Sequence, residues 1–74
     1  MDPDVTLATL RDASADPAER VDAGRILLGW LRNGGYIPQG LFPPGRSYSG
    51  STAAQHAADA IVCAELFAIE QAQR

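Results

Sequence analysis

Apolar positions along the chain fall into helical patterns interrupted by one long stretch of turn formers. Val21, Gly24, Leu27, Leu28 and Leu31 recur at i, i+3, i+6, i+7 and i+10, with Ala23 and Trp30 at the margin and Asp22, Arg25, Arg32 and Asn33 opposite. That period places one broad apolar stripe on a helix. Asp2-Pro3 and Asp16-Pro17 each set a side-chain acceptor ahead of a proline whose fixed φ suits a first helical position. Glu19, three residues after Asp16, makes that start read as a capping box, and Thr52-Ala53-Ala54-Gln55 reads as another. The spacing predicts helices over about 3–12, 17–33 and 52–73, in one domain spanning 1–74. The first helix rests on its cap, because Val5, Leu7, Ala8 and Leu10 span too few turns for periodicity to decide. The second should close at Asn33-Gly34-Gly35, where a glycine can turn left-handed.

The last helix is apolar on two sides. Ala53, Ala57, Ala60, Ala64 and Ala68 recur at i, i+4, i+7, i+11 and i+15, a narrow small-residue seam flanked by Ile61 and Phe67. Val62, Leu66 and Ile69 lie roughly opposite. The alanine seam suits close helix approach, and a helix apolar on two sides needs two partners. Within one chain the second helix takes one side and the loop or first helix the other; the competing explanation is another copy of the protein. Residues 34–51 hold Gly34, Gly35, Gly40, Gly45 and Gly50 with Pro38, Pro43 and Pro44, so they form a loop. Tyr36, Ile37, Leu41, Phe42 and Tyr48 sit among those turn formers. A plain linker carries no such apolar load. Either the loop folds back as core or it forms a binding surface.

Composition sharpens the expectation of a partner. The chain has 74 residues and a net charge of −3, and 13 of its 34 apolar residues are alanine. A domain of this size buries only about 60% of the surface of its unfolded chain, so a thin core and a two-sided helix together predict a homo-oligomer. The fold class expected is all-α: two long antiparallel helices joined by a long Gly/Pro/aromatic loop, with a short N-terminal helix. Six arginines dispersed through an acidic chain argue against extended nucleic acid as a partner. A single cysteine forms no internal disulfide, and no apolar run reaches the ~18 residues of a membrane span. A cytoplasmic protein with no membrane partner is the expectation.

No catalytic motif is present, and neither an enzyme, a metal site nor a cofactor is expected. His56 has Asp59 at i+3, while Cys63 lies two turns on, about 10 Å along the axis, too far for a Cys-His pair. Chemistry gathers instead before the last helix. Arg46 offers a charge-assisted contact to an anion, Ser47, Ser49 and Ser51 offer hydroxyl donors, and Tyr48 a stacking ring. The helix start adds unpaired amides and a partial positive charge. Ordinary capping by serines, and pairing of Arg46 with an acidic neighbour, account for the same residues without a ligand. Trp30, Tyr36 and Phe42 with the Val62, Leu66 and Ile69 face form the corresponding candidate surface for a partner protein.

A helix followed by Pro-x-Gly-Arg-x-x-Ser, here Pro43, Gly45, Arg46 and Ser49, and then by an alanine-rich helix resembles the helical-hairpin cyclic-nucleotide sponges that phages use against CBASS and Thoeris defence. The resemblance covers about half the chain. Where those proteins tend to carry an aromatic and an Asn late in the second helix, this chain has Val62-Cys63-Ala64-Glu65, and its loop is longer. The resemblance implies a non-catalytic oligomer that sequesters a small anionic nucleotide signal, with Arg46 and Ser49 as contacts. The alternative is a protein-interaction module or inhibitor that docks on a host protein.

Overall fold

A computed structural model of the chain describes residues 2–45 and 50–73, and of Ser51 the backbone alone. The described residues are all-helical: α1 (Pro3–Arg11), α2 (Pro17–Arg32) and α3 (Ser51–Ala72). The aspartate caps form, Asp2 Oδ1 accepting from the Asp4 amide and Asp16 Oδ1 from the Ala18 amide, both at 3.0 Å, but among the described residues Glu19 does not reach back to complete the box expected at Asp16. α2 closes in a Schellman motif. Gly34, at φ 83°, is the left-handed residue, the Gly35 amide donates to the Trp30 carbonyl at 2.9 Å and the Gly34 amide to that of Leu31 at 3.1 Å. The expected box at Thr52 is not what starts α3. The helix begins at Ser51 with Gly50 as its cap, and the Gln55 side-chain Nε2 donates to the Gly35 carbonyl at 3.1 Å instead.

Cross-links fix the relation of α2 to α3. Arg25 lies 3.7 Å from Glu70 and Arg32 2.6 Å from Asp59, so numbers rise in one helix as they fall in the other and the pair is antiparallel. Where they meet, a Cβ on Gly24 would overlap the Leu66 side chain and come within 3.1 Å of Leu10. The close approach of the helices is therefore made by a glycine of α2.

The alanine seam of α3 does no such work, which corrects the expectation drawn from its small side chains. The core is built from Leu7 and Leu10 of α1, Ala23, Leu27 and Leu31 of α2, Leu41 of the loop, and Ala58, Val62, Leu66 and Ile69 of α3. Val62 is fully buried and Leu66 and Ile69 are 8% and 7% exposed, so the face expected to await a partner is the inner face. The reason is area: fully burying a large aliphatic side chain is worth about 1.5–3 kcal/mol against roughly 0.8 for one methyl-sized group. With one side of α3 turned inward, the side with more apolar surface wins.

The loop folds back as core. Leu41 is 1% exposed, and Ile37, Phe42 and Trp30 pack against the cluster half-buried. Arg11 clamps it from α1. Its Nη1 donates to the Gly40 carbonyl at 2.7 Å, its Nη2 to that of Leu41 at 2.9 Å, and its Nε to Glu65 of α3 at 2.8 Å. The Gln39 amide donates to Asp4 Oδ1 at 2.9 Å, a second tie between the loop and α1.

Candidate ligand groove

The C-terminal end of α2 and the first turns of α3 do not close fully against each other. Between them runs an open groove of about 770 Å³ lined by Leu31, Arg32, Gly34, Thr52, Gln55, His56 and Asp59. That volume lies within the range of small-molecule sites. Its floor is apolar at Leu31; its walls are polar. The antiparallel arrangement sets the last turn of α2 beside the N-terminus of α3, where Gly50 offers no side chain to cap the first amides and no acidic residue stands in the first turn. The partial positive charge of that terminus is left without a local carboxylate.

At the far end Arg32 and Asp59 form a two-point pair, Nε to Oδ2 at 2.6 Å and Nη2 to Oδ1 at 3.3 Å. Among the described residues Nη1 makes no bond, and the Arg32 side chain is 61% exposed. The Arg32 hydrogen bonds hold the Asp59 carboxyl below its ordinary range against the opposing effect of burial, and Asp59 in turn raises Arg32. Cys63 sits behind the pair, its thiol 3.4 Å from Asp59 Oδ1. Burial first and Asp59 second push that thiol up, so little thiolate forms at neutral pH. Among the described residues no group of three His, Cys, Asp or Glu comes together to hold a metal ion, and no helix is long and apolar enough to cross a membrane.

The residues singled out from sequence scatter differently. Arg46, Ser47, Tyr48 and Ser49 lie outside the described residues, and so does the side chain of Ser51, whose backbone opens α3. Trp30 and Tyr36 meet edge to face at 5.4 Å, the indole N–H donating to the Tyr36 carbonyl at 2.8 Å. Phe42 packs on the core and Val62, Leu66 and Ile69 lie within it, which removes those three from any surface the folded chain presents. Sequence reasoning missed Arg32 and Gln55, because their groove partners stand 27 and 20 residues away. The one local signal was His56 three residues before Asp59, though the structure gives the Asp59 carboxylate to Arg32 and Cys63. Comparison with protein-family models, with curated proteins and with solved structures returned no match.

Proposed function

We propose that the chain is a small non-catalytic binding protein that sequesters a phosphorylated small molecule of the cyclic-nucleotide class in the groove at the start of α3. The observation that carries this reading is the juxtaposition of a helix N-terminus whose cap residue, Gly50, has no side chain with an open groove of about 770 Å³ whose other end holds the exposed guanidinium of Arg32. Thr52 and Asp59, seven residues apart on one helix, set the groove's reach at about 10 Å from the rise per residue, enough for a phosphate at one end and a hydrogen-bonding ring at the other. The raised pKa of Cys63 argues against that thiol as a nucleophile. Arg46, Ser47 and Ser49 precede Thr52 by three to six residues in the sequence. Ligand held there is withdrawn stoichiometrically from its receptor, the role in countering host defence signalling that the sponge resemblance implies.

Calorimetric titration against cyclic di- and trinucleotides, cyclic ADP-ribose isomers and inorganic phosphate tests it. One organic ligand should bind, and Arg46→Ala and Thr52→Val should each weaken it tenfold or more. No heat with any of them, or affinity unchanged in both variants, overturns the reading. A protein-interaction role is the second reading. It is supported by Tyr36, 60% exposed beside Trp30, and is tested by loss of a captured partner in Tyr36→Ala.

A further inference from the structure

The polar side chains of the groove are not equally free. Asp59 is engaged at both oxygens, Oδ2 accepting from Arg32 Nε and Oδ1 from Arg32 Nη2 and the Cys63 thiol. Gln55, half-buried in the groove lining, donates through Nε2 to the Gly35 carbonyl at 3.1 Å. A carbonyl only accepts, so this contact settles which end of the amide is nitrogen. The polar atom left to Gln55 is Oε1, and among the described residues no donor reaches it. Since no buried side-chain oxygen among them lacks a partner, Oε1 is open to solvent. The amide is also held in place. The Gly35 amide donates to the Trp30 carbonyl at 2.9 Å, a Cβ on Gly35 would overlap the Trp30 indole, and the indole N–H donates to the Tyr36 carbonyl at 2.8 Å. The carbonyl that anchors Gln55 therefore belongs to a pinned turn, and the acceptor is set before a ligand arrives.

We infer that Gln55 Oε1 is the specificity-determining acceptor of the groove, and that the ligand meets it with an N–H donor, the exocyclic amine of a nucleobase. This rests on the groove being the ligand site proposed above. The other side chains of the groove do not duplicate that role. Arg32 Nη1 only donates, the Thr52 hydroxyl turns to either role, and a neutral imidazole such as that of His56 exchanges donor for acceptor with its tautomer. Among the described side chains lining the groove, Gln55 is thus the uncharged acceptor whose orientation is fixed. An amine placed against it completes a hydrogen bond, whereas a keto group at the same point sets oxygen against oxygen with no proton between them. Selectivity of this kind comes from the group that is left unpaired more than from the bond that is gained.

Chemical-shift titration of the isotope-labelled full chain with cyclic AMP, cyclic GMP and cyclic IMP tests it, because the base of cyclic IMP lacks the exocyclic amine that each of the others carries. At least one of the two amine-bearing ligands should bind about fivefold tighter than cyclic IMP. Gln55→Met, similar in length but without the amide, should bring that ratio to about one while keeping the helical circular dichroism. Loss of the Gly35 anchor alone would weaken all three ligands alike, so the ratio, and not the affinity, reads the acceptor. Equal binding of all three by the wild type, or a preference that survives in Gln55→Met, overturns the inference and leaves the groove standing as an anion site. Groove amides that shift with none of the three overturn it as well, and the calorimetric panel with inorganic phosphate then decides the groove reading separately.

Discussion

The two faces of α3 are both apolar, but they relate to the rest of the chain in opposite ways. Inward, Val62, Leu66 and Ile69 lie in a core shared with all three helices and the loop, and Gly24 makes room for Leu66. Outward, alanines and Phe67 meet solvent. The difference teaches that side-chain size, more than polarity, decided which way this helix rolled. The inner face took the volume needed to fill a thin core, and the outer face kept what the fold did without.

The sharpest way to break that contrast is to place the same charge on each face. Leu66→Asp buries a carboxylate with no cation beside it, at a cost on the order of 3–5 kcal/mol. A domain of this length has roughly 4–11 kcal/mol in total, so the variant should lose most of its cooperative thermal transition by circular dichroism. Ala64→Asp, two residues away, should cost no more than about 1 kcal/mol, most of it the lower helix propensity of aspartate. Equal losses from both would mean that the outer face contributes to the fold.

A smaller effect separates the loop from the helices. The guanidinium of Arg11 reaches Glu65 and the carbonyls of Gly40 and Leu41, and bonds to a charged group are worth more than neutral ones. Its side chain is 37% exposed, which discounts the sum. Arg11→Ala should cost about 1–2 kcal/mol in urea unfolding. Hydrogen exchange should rise at the Leu41 amide, which bonds to Pro38, while the amides in the middle of α2 stay protected. Uniform loss of protection would show that loop and helices open as one unit.

What sequence reading recovered and what it lost divide along the range of the interactions. Asp2, Asp16 and Gly34 act on backbone a few residues away, and the helix ends they set agree with expectation to within one residue. The large apolar side chains among the loop's turn formers left core and binding surface both open, and of them Leu41 is buried while Tyr36 stays 60% exposed. The inward roll of α3 was harder to read, because both of its faces are apolar: Val62, Leu66 and Ile69 are the larger side chains, but the room for Leu66 comes from Gly24, 42 residues earlier. The groove was hidden by the same long range: Arg32 reads as a residue on the polar side of α2 and Asp59 as a neighbour of His56 until the antiparallel pairing sets them 2.6 Å apart.

That pair supplies the smallest effect, and its sign is fixed. The Asp59 carboxyl lies below its ordinary value in the folded chain, mainly through the Arg32 hydrogen bonds, whereas in the unfolded chain it titrates near the usual ~3.9. Below both values the unfolded and folded chains bind the same proton and the pair adds nothing. Above the unfolded value the folded chain alone has gained from ionisation, so this stability is present at neutral pH and is lost as pH falls through the folded value. Asp12, lowered by its hydrogen bonds to Ser14, titrates with the same sign. Melting temperature should therefore fall between pH 5 and pH 2.5 in the wild type and fall less in Asp59→Asn, with the residual slope left to Asp12 and the other carboxylates. Because the pair sits at the groove's open end, added salt should shrink the difference between the two curves. Identical curves would show that Arg32 is already detached from Asp59 in solution and stands free at the mouth of the groove.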